Sequence, residues 1–162
     1  MLKKIILSID RLSDAGAYLS AFLLIVMIVL IVTNIVLMSV FNSSIMITDE
    51  YSAYMFAAFI MFSLSYTLKE NAHIKITVVS SKLPEKAAKI LKIITLITAF
   101  LMSLFATYNS TFMVYQAYIY QMRADTVAQT LIYIPQICMP VGFFMLSLQL
   151  ISEILKVFCS DF

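Results

Sequence analysis

Residues 15–41 read AGAYLSAFLLIVMIVLIVTNIVLMSVF, and this stretch decides the fold. It holds no Asp, Glu, Lys or Arg, and the charge-free run continues to residue 48. As an α-helix, 27 residues extend about 40 Å, more than the roughly 30 Å hydrocarbon core of a bilayer. The spacing therefore predicts a transmembrane helix that tilts or protrudes. Upstream, Asp10, Arg11 and Asp14 interrupt the apolar pattern. The run that follows is too long for a signal-peptide core and lacks a convincing cleavage site, so it reads as a retained signal anchor. Asn42, Ser43 and Ser44 close it with a polar break.

Three further apolar runs follow. Residues 51–68 form a short second span, opened by Thr48, Asp49 and Glu50. Thr48 is expected to cap free backbone N–H groups, and the two acids complement the positive end of the helix dipole. Residues 93–122 are charge-free, with Tyr115, Tyr118 and Tyr120 near their end as an interfacial aromatic belt. The fourth span covers residues 131–155 and contains Pro135 and Pro140. Proline removes a backbone donor, so either a kink or a helix start at Pro135 fits. The reading is a single-domain, all-α integral membrane protein with four transmembrane helices.

Composition agrees. Hydrophobic residues make up 62% of the 162 and charged residues only 12%, against roughly 25% charged in soluble domains. The mean hydropathy is +0.98. The net charge is only +2, but its distribution is uneven. With four spans, both termini and the loop 69–92 share one side. That side holds Lys3, Lys4, Arg11, Lys69, Lys75, Lys82, Lys86, Lys89, Lys92 and Lys156; only Arg123 lies opposite. The positive-inside rule puts both ends and the basic loop in the cytoplasm. The lysine cluster sits between two apolar runs, so it points to lipid rather than nucleic acid.

Two amphipathic segments are expected to lie along the membrane. Leu2, Ile5, Ile6, Ile9 and Leu12 recur at helical spacing opposite Lys3, Lys4 and Arg11. Residues 73–83 alternate apolar and polar side chains, and Pro84 and Glu85 then open the third helix. Lys3, Lys4, Arg11, His73, Lys75, Lys82, Lys86 and Lys89 are candidate headgroup anchors, because lysine stems can snorkel to the interface.

The residue inventory excludes most chemistry. One histidine rules out a bis-His haem and a His-cluster metal site within the chain. Cys138 and Cys159 are 21 residues apart, roughly 30 Å on one helix, too far to pair. There is no phosphate loop and no nucleophile triad. No ionisable acid or base lies mid-span, where coupled carriers usually place one. A non-enzymatic role without a cofactor in this chain follows. Arg123 and Asp125 read as a solvated loop pair and candidate periplasmic contact. Asp49, Glu50, Ser63, Ser65, Pro135, Pro140 and Gly142 offer charge, small side chains or irregular backbone where a partner subunit's helix can approach closely. A stand-alone four-span protein, such as an immunity or regulatory protein, is the alternative.

Three blocks carry a resemblance that covers nearly the whole chain. Thr48-Asp49-Glu50-Tyr51 precedes an aromatic-rich span. Lys69-Glu70-Asn71-Ala72-His73-Ile74-Lys75-Ile76 is followed by Leu83-Pro84. Leu131-Ile132-Tyr133-Ile134-Pro135 is followed by Pro140-Val141-Gly142-Phe143. In this order, on four spans, they resemble the small membrane subunit of tripartite ATP-independent periplasmic (TRAP) transporters, the DctQ type. Ile47 stands where that family often has Trp, Gln136 and Ile137 near where it has another, and Ser63 and Ser65 replace a small Gly-containing stretch. The resemblance implies a scaffold in the bacterial inner membrane, in a one-to-one heterodimer with a large membrane subunit. That subunit would carry an organic acid, a dicarboxylate or a sialic acid, with sodium, after delivery by a periplasmic substrate-binding protein.

Overall fold

The computed structural model describes residues 2–70 and 85–159. Its helices are α1 (Leu2–Phe41), α2 (Thr48–Lys69), α3 (Glu85–Ile119), a single turn α4 (Tyr133–Gln136) and α5 (Cys138–Cys159). Four stretches are long and apolar enough to cross a membrane: Lys3–Phe41, Thr48–Lys69, Ala87–Ile119 and Tyr133–Val157. The last comprises α4 and α5. The chain is thus an all-α, four-span membrane protein, as its hydropathy predicts.

α1 has 40 residues and α3 has 35, about 60 and 52 Å, whereas α2 and α5 have 22 each, about 33 Å. The principal contacts run α1 to α2, α2 to α5 and α5 to α3, and α1 also reaches α5. The two short helices therefore form the middle of the bundle and the two long ones its flanks. Lys69, at the end of α2, and Lys156, near the end of α5, both pair with the first turns of α1. The two central helices accordingly run parallel to each other and antiparallel to α1.

Two expectations are corrected. The amphipathic residues 2–12 do not turn aside along the membrane; they continue α1 without a break. Asp10 and Asp14, which interrupt the apolar pattern, are held by partners on α5 and α2, so the helix stands against its neighbours there. Thr48 is not a cap. Ile47 occupies the cap position without a side-chain bond, and Thr48 is the first helical residue, buried. Residues 73–83, the other expected interfacial segment, lie outside the described residues.

The connections are short and specific. Asn42 takes a left-handed φ of 48° beyond the end of α1, a conformation Asn tolerates better than most side chains. The Asn34 carboxamide oxygen accepts the Ile45 N–H at 2.7 Å and holds the returning chain against α1. Between α3 and α4 the chain folds into a narrow loop. Ile132 N–H donates to the Met122 carbonyl and Ala124 N–H to the Thr130 carbonyl, each at 3.0 Å. Both readings of the fourth span hold in part: helix begins at Tyr133, is interrupted at Ile137 and resumes at Cys138. Pro140 cannot donate to the carbonyl four residues back, which explains the interruption. The Cys138 thiol donates to the Pro135 carbonyl at 2.9 Å, within the interrupted turn.

Candidate functional site

The polar side chains gather at three levels. At the level of the α1 N-terminal turns, Ser13 Oγ donates to Gln149 Oε1 at 2.7 Å, and Gln149 Nε2 donates to Asp10 Oδ1 at 3.0 Å. Lys156 Nζ donates to the same Asp10 oxygen at 3.1 Å and to Glu153 Oε1 at 2.9 Å. Beside this knot, Lys69 pairs with Asp14. Gln149 and Ser13 are fully buried, and Glu153 nearly so. A buried charge without partners is costly, so the paired arrangement is what allows Asp10 and Glu153 to sit between helices.

At mid-bundle the helices touch through small residues. A Cβ on Gly142 would lie 2.7 Å from the Met61 carbonyl oxygen, and one on Gly16 would lie 2.8 Å from that of Phe62. Ser103 Oγ donates to the Phe143 carbonyl at 2.9 Å and ties α3 to α5. At the opposite end, Glu50 accepts the Tyr54 hydroxyl at 2.9 Å through one oxygen and the Thr126 hydroxyl through the other. It thereby links the first turn of α2 to the loop before α4. The Tyr118 and Tyr133 rings meet edge-on there, 5.4 Å apart.

The residues singled out in the sequence fall in different places. Asp49 is exposed and Glu50 half-buried; Ser63 is half-buried with its hydroxyl on the Ile60 carbonyl. Pro135 and Pro140 are half-buried. Ser65 is fully buried, and Gly142 stands against α2. At Gly142 the close approach expected of a partner's helix is made by α2 of this chain. Arg123 and Asp125 are both exposed, and no ion pair joins them among the described residues. Arg123 instead lies opposite Leu131 in the narrow loop. Lys3, Lys4 and Arg11 are exposed along the first turns of α1, and Lys89 is half-buried. The Lys86 side chain, His73, Lys75 and Lys82 lie outside the described residues.

Sequence reasoning treats Asp10 only as a break, uses Lys156 only for orientation, and passes over Ser13, Gln149 and Glu153. A weak signal was present: Asp10 and Asp14 share one helix face at four-residue spacing, as do Glu153 and Lys156 at three.

Glu50→Ala is expected to loosen the 120–132 loop, because both carboxylate oxygens hold hydroxyls of this chain. Asp125→Ala removes an exposed carboxylate that holds no partner among the described residues. Limited proteolysis of the loop in detergent is expected to accelerate severalfold in the first variant and stay unchanged in the second. Equal cleavage rates would remove Glu50 from this role.

A four-span bundle with its charged groups at the two ends and small-residue contacts between is the class of protein defined here: a multi-pass membrane protein with no ionisable acid or base in mid-span. Residues 27–160 match the family model described as tripartite ATP-independent periplasmic transporters, DctQ component. A Haemophilus influenzae protein named as a TRAP transporter small permease is 29% identical over 133 residues, covering 82% of this chain and 81% of its own. A second H. influenzae protein of the same name is 40% identical over 73 residues, 45% of each chain. The chain belongs to the DctQ family and is a small permease subunit of a TRAP transporter. The family is one of transporter components, not of enzymes.

Proposed function

We propose that this subunit is a static scaffold for a large membrane subunit, to which it binds one-to-one in the bacterial inner membrane. The large subunit performs sodium-coupled uptake of an organic acid, a dicarboxylate or a sialic acid, handed over by a periplasmic binding protein. The observation that carries this reading is the charge-free interior of all four spans in a chain of the DctQ family. Without a mid-membrane acid or base, the chain has no evident site at which to couple substrate to an ion gradient. The polar knot between α1, α2 and α5 suits an element that does not change shape. Asp49, Glu50, Ser63, Pro135 and Pro140 remain proposed contacts with the large subunit, and Arg123 and Asp125 with the binding protein. Lys3, Lys4, Arg11, His73, Lys75, Lys82, Lys86 and Lys89 are proposed to anchor to lipid headgroups.

In liposomes with a sodium gradient and binding protein, this chain alone is expected to drive no uptake, and uptake is expected when the large subunit is added. Sodium-driven uptake by the chain alone would make it a carrier in its own right.

Both termini are proposed to be cytoplasmic, from the ten-to-one basic asymmetry. In a background where Cys138 and Cys159 are replaced, a membrane-impermeant thiol reagent added to intact cells is expected to label a cysteine at position 124 and spare one at position 82. The reverse pattern overturns the orientation.

A further inference from the structure

The two flanking helices present different outward faces. On α1 the exposed arc runs from Tyr18, which is 80% exposed, through Phe22, Ile25, Val29 and Val32, and beyond the tyrosine it is all hydrocarbon. On α3 the exposed arc is centred on Phe105, which is 67% exposed, with Met102 and Phe112 above and below it. Tyr108 and Asn109 flank this arc on either side. Tyr108 is 72% exposed, and its hydroxyl makes no hydrogen bond among the described residues. Asn109 is exposed; its Nδ2 donates to the Phe105 carbonyl at 2.8 Å, and its Oδ1 receives no bond from the described residues.

Depth decides whether this matters. Ser103 is bonded to Phe143, next to Gly142, which stands against Met61 of α2. Ser103 is therefore level with Met61, well inside the charge-free stretch between Glu50 and Lys69. Asn109 is six residues farther along, about 9 Å, which leaves it still some 8 Å short of the level of Glu50. Tyr108 and Asn109 thus face the hydrocarbon, where an unpaired polar group is costly. The hydroxyls of Thr95, Thr98 and Thr111 on the same helix are each satisfied by a carbonyl four residues back. Among the described residues of this α3 face, Tyr108 and Asn109 are left to be satisfied from outside; the α1 face offers the Tyr18 hydroxyl alone, whereas α3 adds the Asn109 carboxamide.

We propose that the Leu101–Phe112 face of α3, rather than the outward face of α1, receives a transmembrane helix of the large subunit. That helix carries a Ser, Thr, Asn or Gln opposite Asn109 and apolar side chains against Phe105 and Phe112. The inference rests on the partnership proposed above and adds which face is used and the chemistry it recognises.

The test is made on the full chain co-expressed with the large subunit of its transporter. A photo-crosslinking amino acid is placed at Met102, Phe105 or Phe112 on α3, and at Phe22, Ile25 or Val29 on α1. Adducts with the large subunit are expected from the α3 positions and not from the α1 positions. Asn109→Leu is expected to lower the yield of co-purified large subunit about three- to tenfold, in line with one lost interhelical hydrogen bond, while the isolated chain stays as stable or gains stability. Adducts from α1 alone, or full complex yield with Asn109→Leu and no α3 adduct, would overturn the assignment while leaving the partnership intact. An α3 adduct between two copies of this chain would replace the proposed occupant by a homodimer. If the unsubstituted chain does not co-purify with the large subunit, the partnership itself fails, and this assignment with it.

Discussion

Gly142→Leu is expected to abolish the folded bundle. Even a bare Cβ at this position would lie 2.7 Å from both Cβ and the carbonyl oxygen of Met61, and 2.9 Å from the Met61 carbonyl carbon. Real Cβ contacts do not come that close, and two of these three atoms are backbone that cannot rotate away. α5 would have to move off α2, and α5 is the helix that touches all three other spans. Gly142→Ala is expected to cost about 1–3 kcal/mol, the usual range for overpacking. Leucine adds three more carbons to the same contact and is expected to leave no monodisperse protein after detergent extraction. Val141→Leu, on the exposed side of the same helix, serves as the control and is expected to behave as the parent. Met61→Gly removes the side-chain half of the clash and is expected to restore Gly142→Ala partly. Parent-like thermal unfolding of Gly142→Leu would mean that α5 does not approach α2 as described.

The polar knot gives the next largest effect. Lys156→Met leaves Asp10 and Glu153 between helices without their cation. Breaking one partner of a buried pair costs about 3–5 kcal/mol. The Asp10 side chain is 18% exposed and that of Lys156 34%, so about 2 kcal/mol is the expected loss, below that range. The Asp14 side chain is 39% exposed, so Asp14→Asn is expected to cost about 1 kcal/mol or less. Combining Lys156→Met with Asp10→Asn is expected to recover part of the loss, because the orphaned acid goes too. A double-mutant cycle on detergent unfolding reads the coupling directly. Equal costs at Asp14 and Lys156, with no coupling between Asp10 and Lys156, would reduce the knot to independent surface charges.

Much of this architecture was legible in sequence, and the reason is locality. A membrane span is recognised from one window of some twenty residues, so the four-span reading is local, and the helix after Pro84 begins at Glu85 as expected; the start of α1 at Leu2, well before residue 15, depends on partners on other helices. Thr48 misled because Ile47 takes the cap position and Thr48 turns inward, a choice made by tertiary packing rather than by cap preference. Asp10 was read as an interruption because its partners lie 139 and 146 residues away, beyond any local pattern. Gly142 stands against α2 and Ser65 is buried, and a small residue in the sequence does not say whose helix arrives. The break at Ile137 follows from Pro140, but whether the helix also begins upstream depends on the narrow loop that delivers Tyr133.

The bond between Asp10 and Lys156 joins the first helical turns of the chain to its last. Ribosomes build membrane proteins from the N-terminus, so Asp10 reaches its place in the bundle long before Gln149 and Lys156 have been made. Throughout that interval the acid lacks Gln149 and Lys156 and depends on Lys69, lipid headgroups, water or the insertion machinery. The α1–α2 pair can assemble early through Gly16 and the Asp14–Lys69 contact, but it stays incomplete. A chain interrupted anywhere before residue 149 carries the same open valence at its start. The contact thus forms only once residue 156 has been made, and a copy that stops short of it differs by an exposed carboxylate as well as by a missing helix.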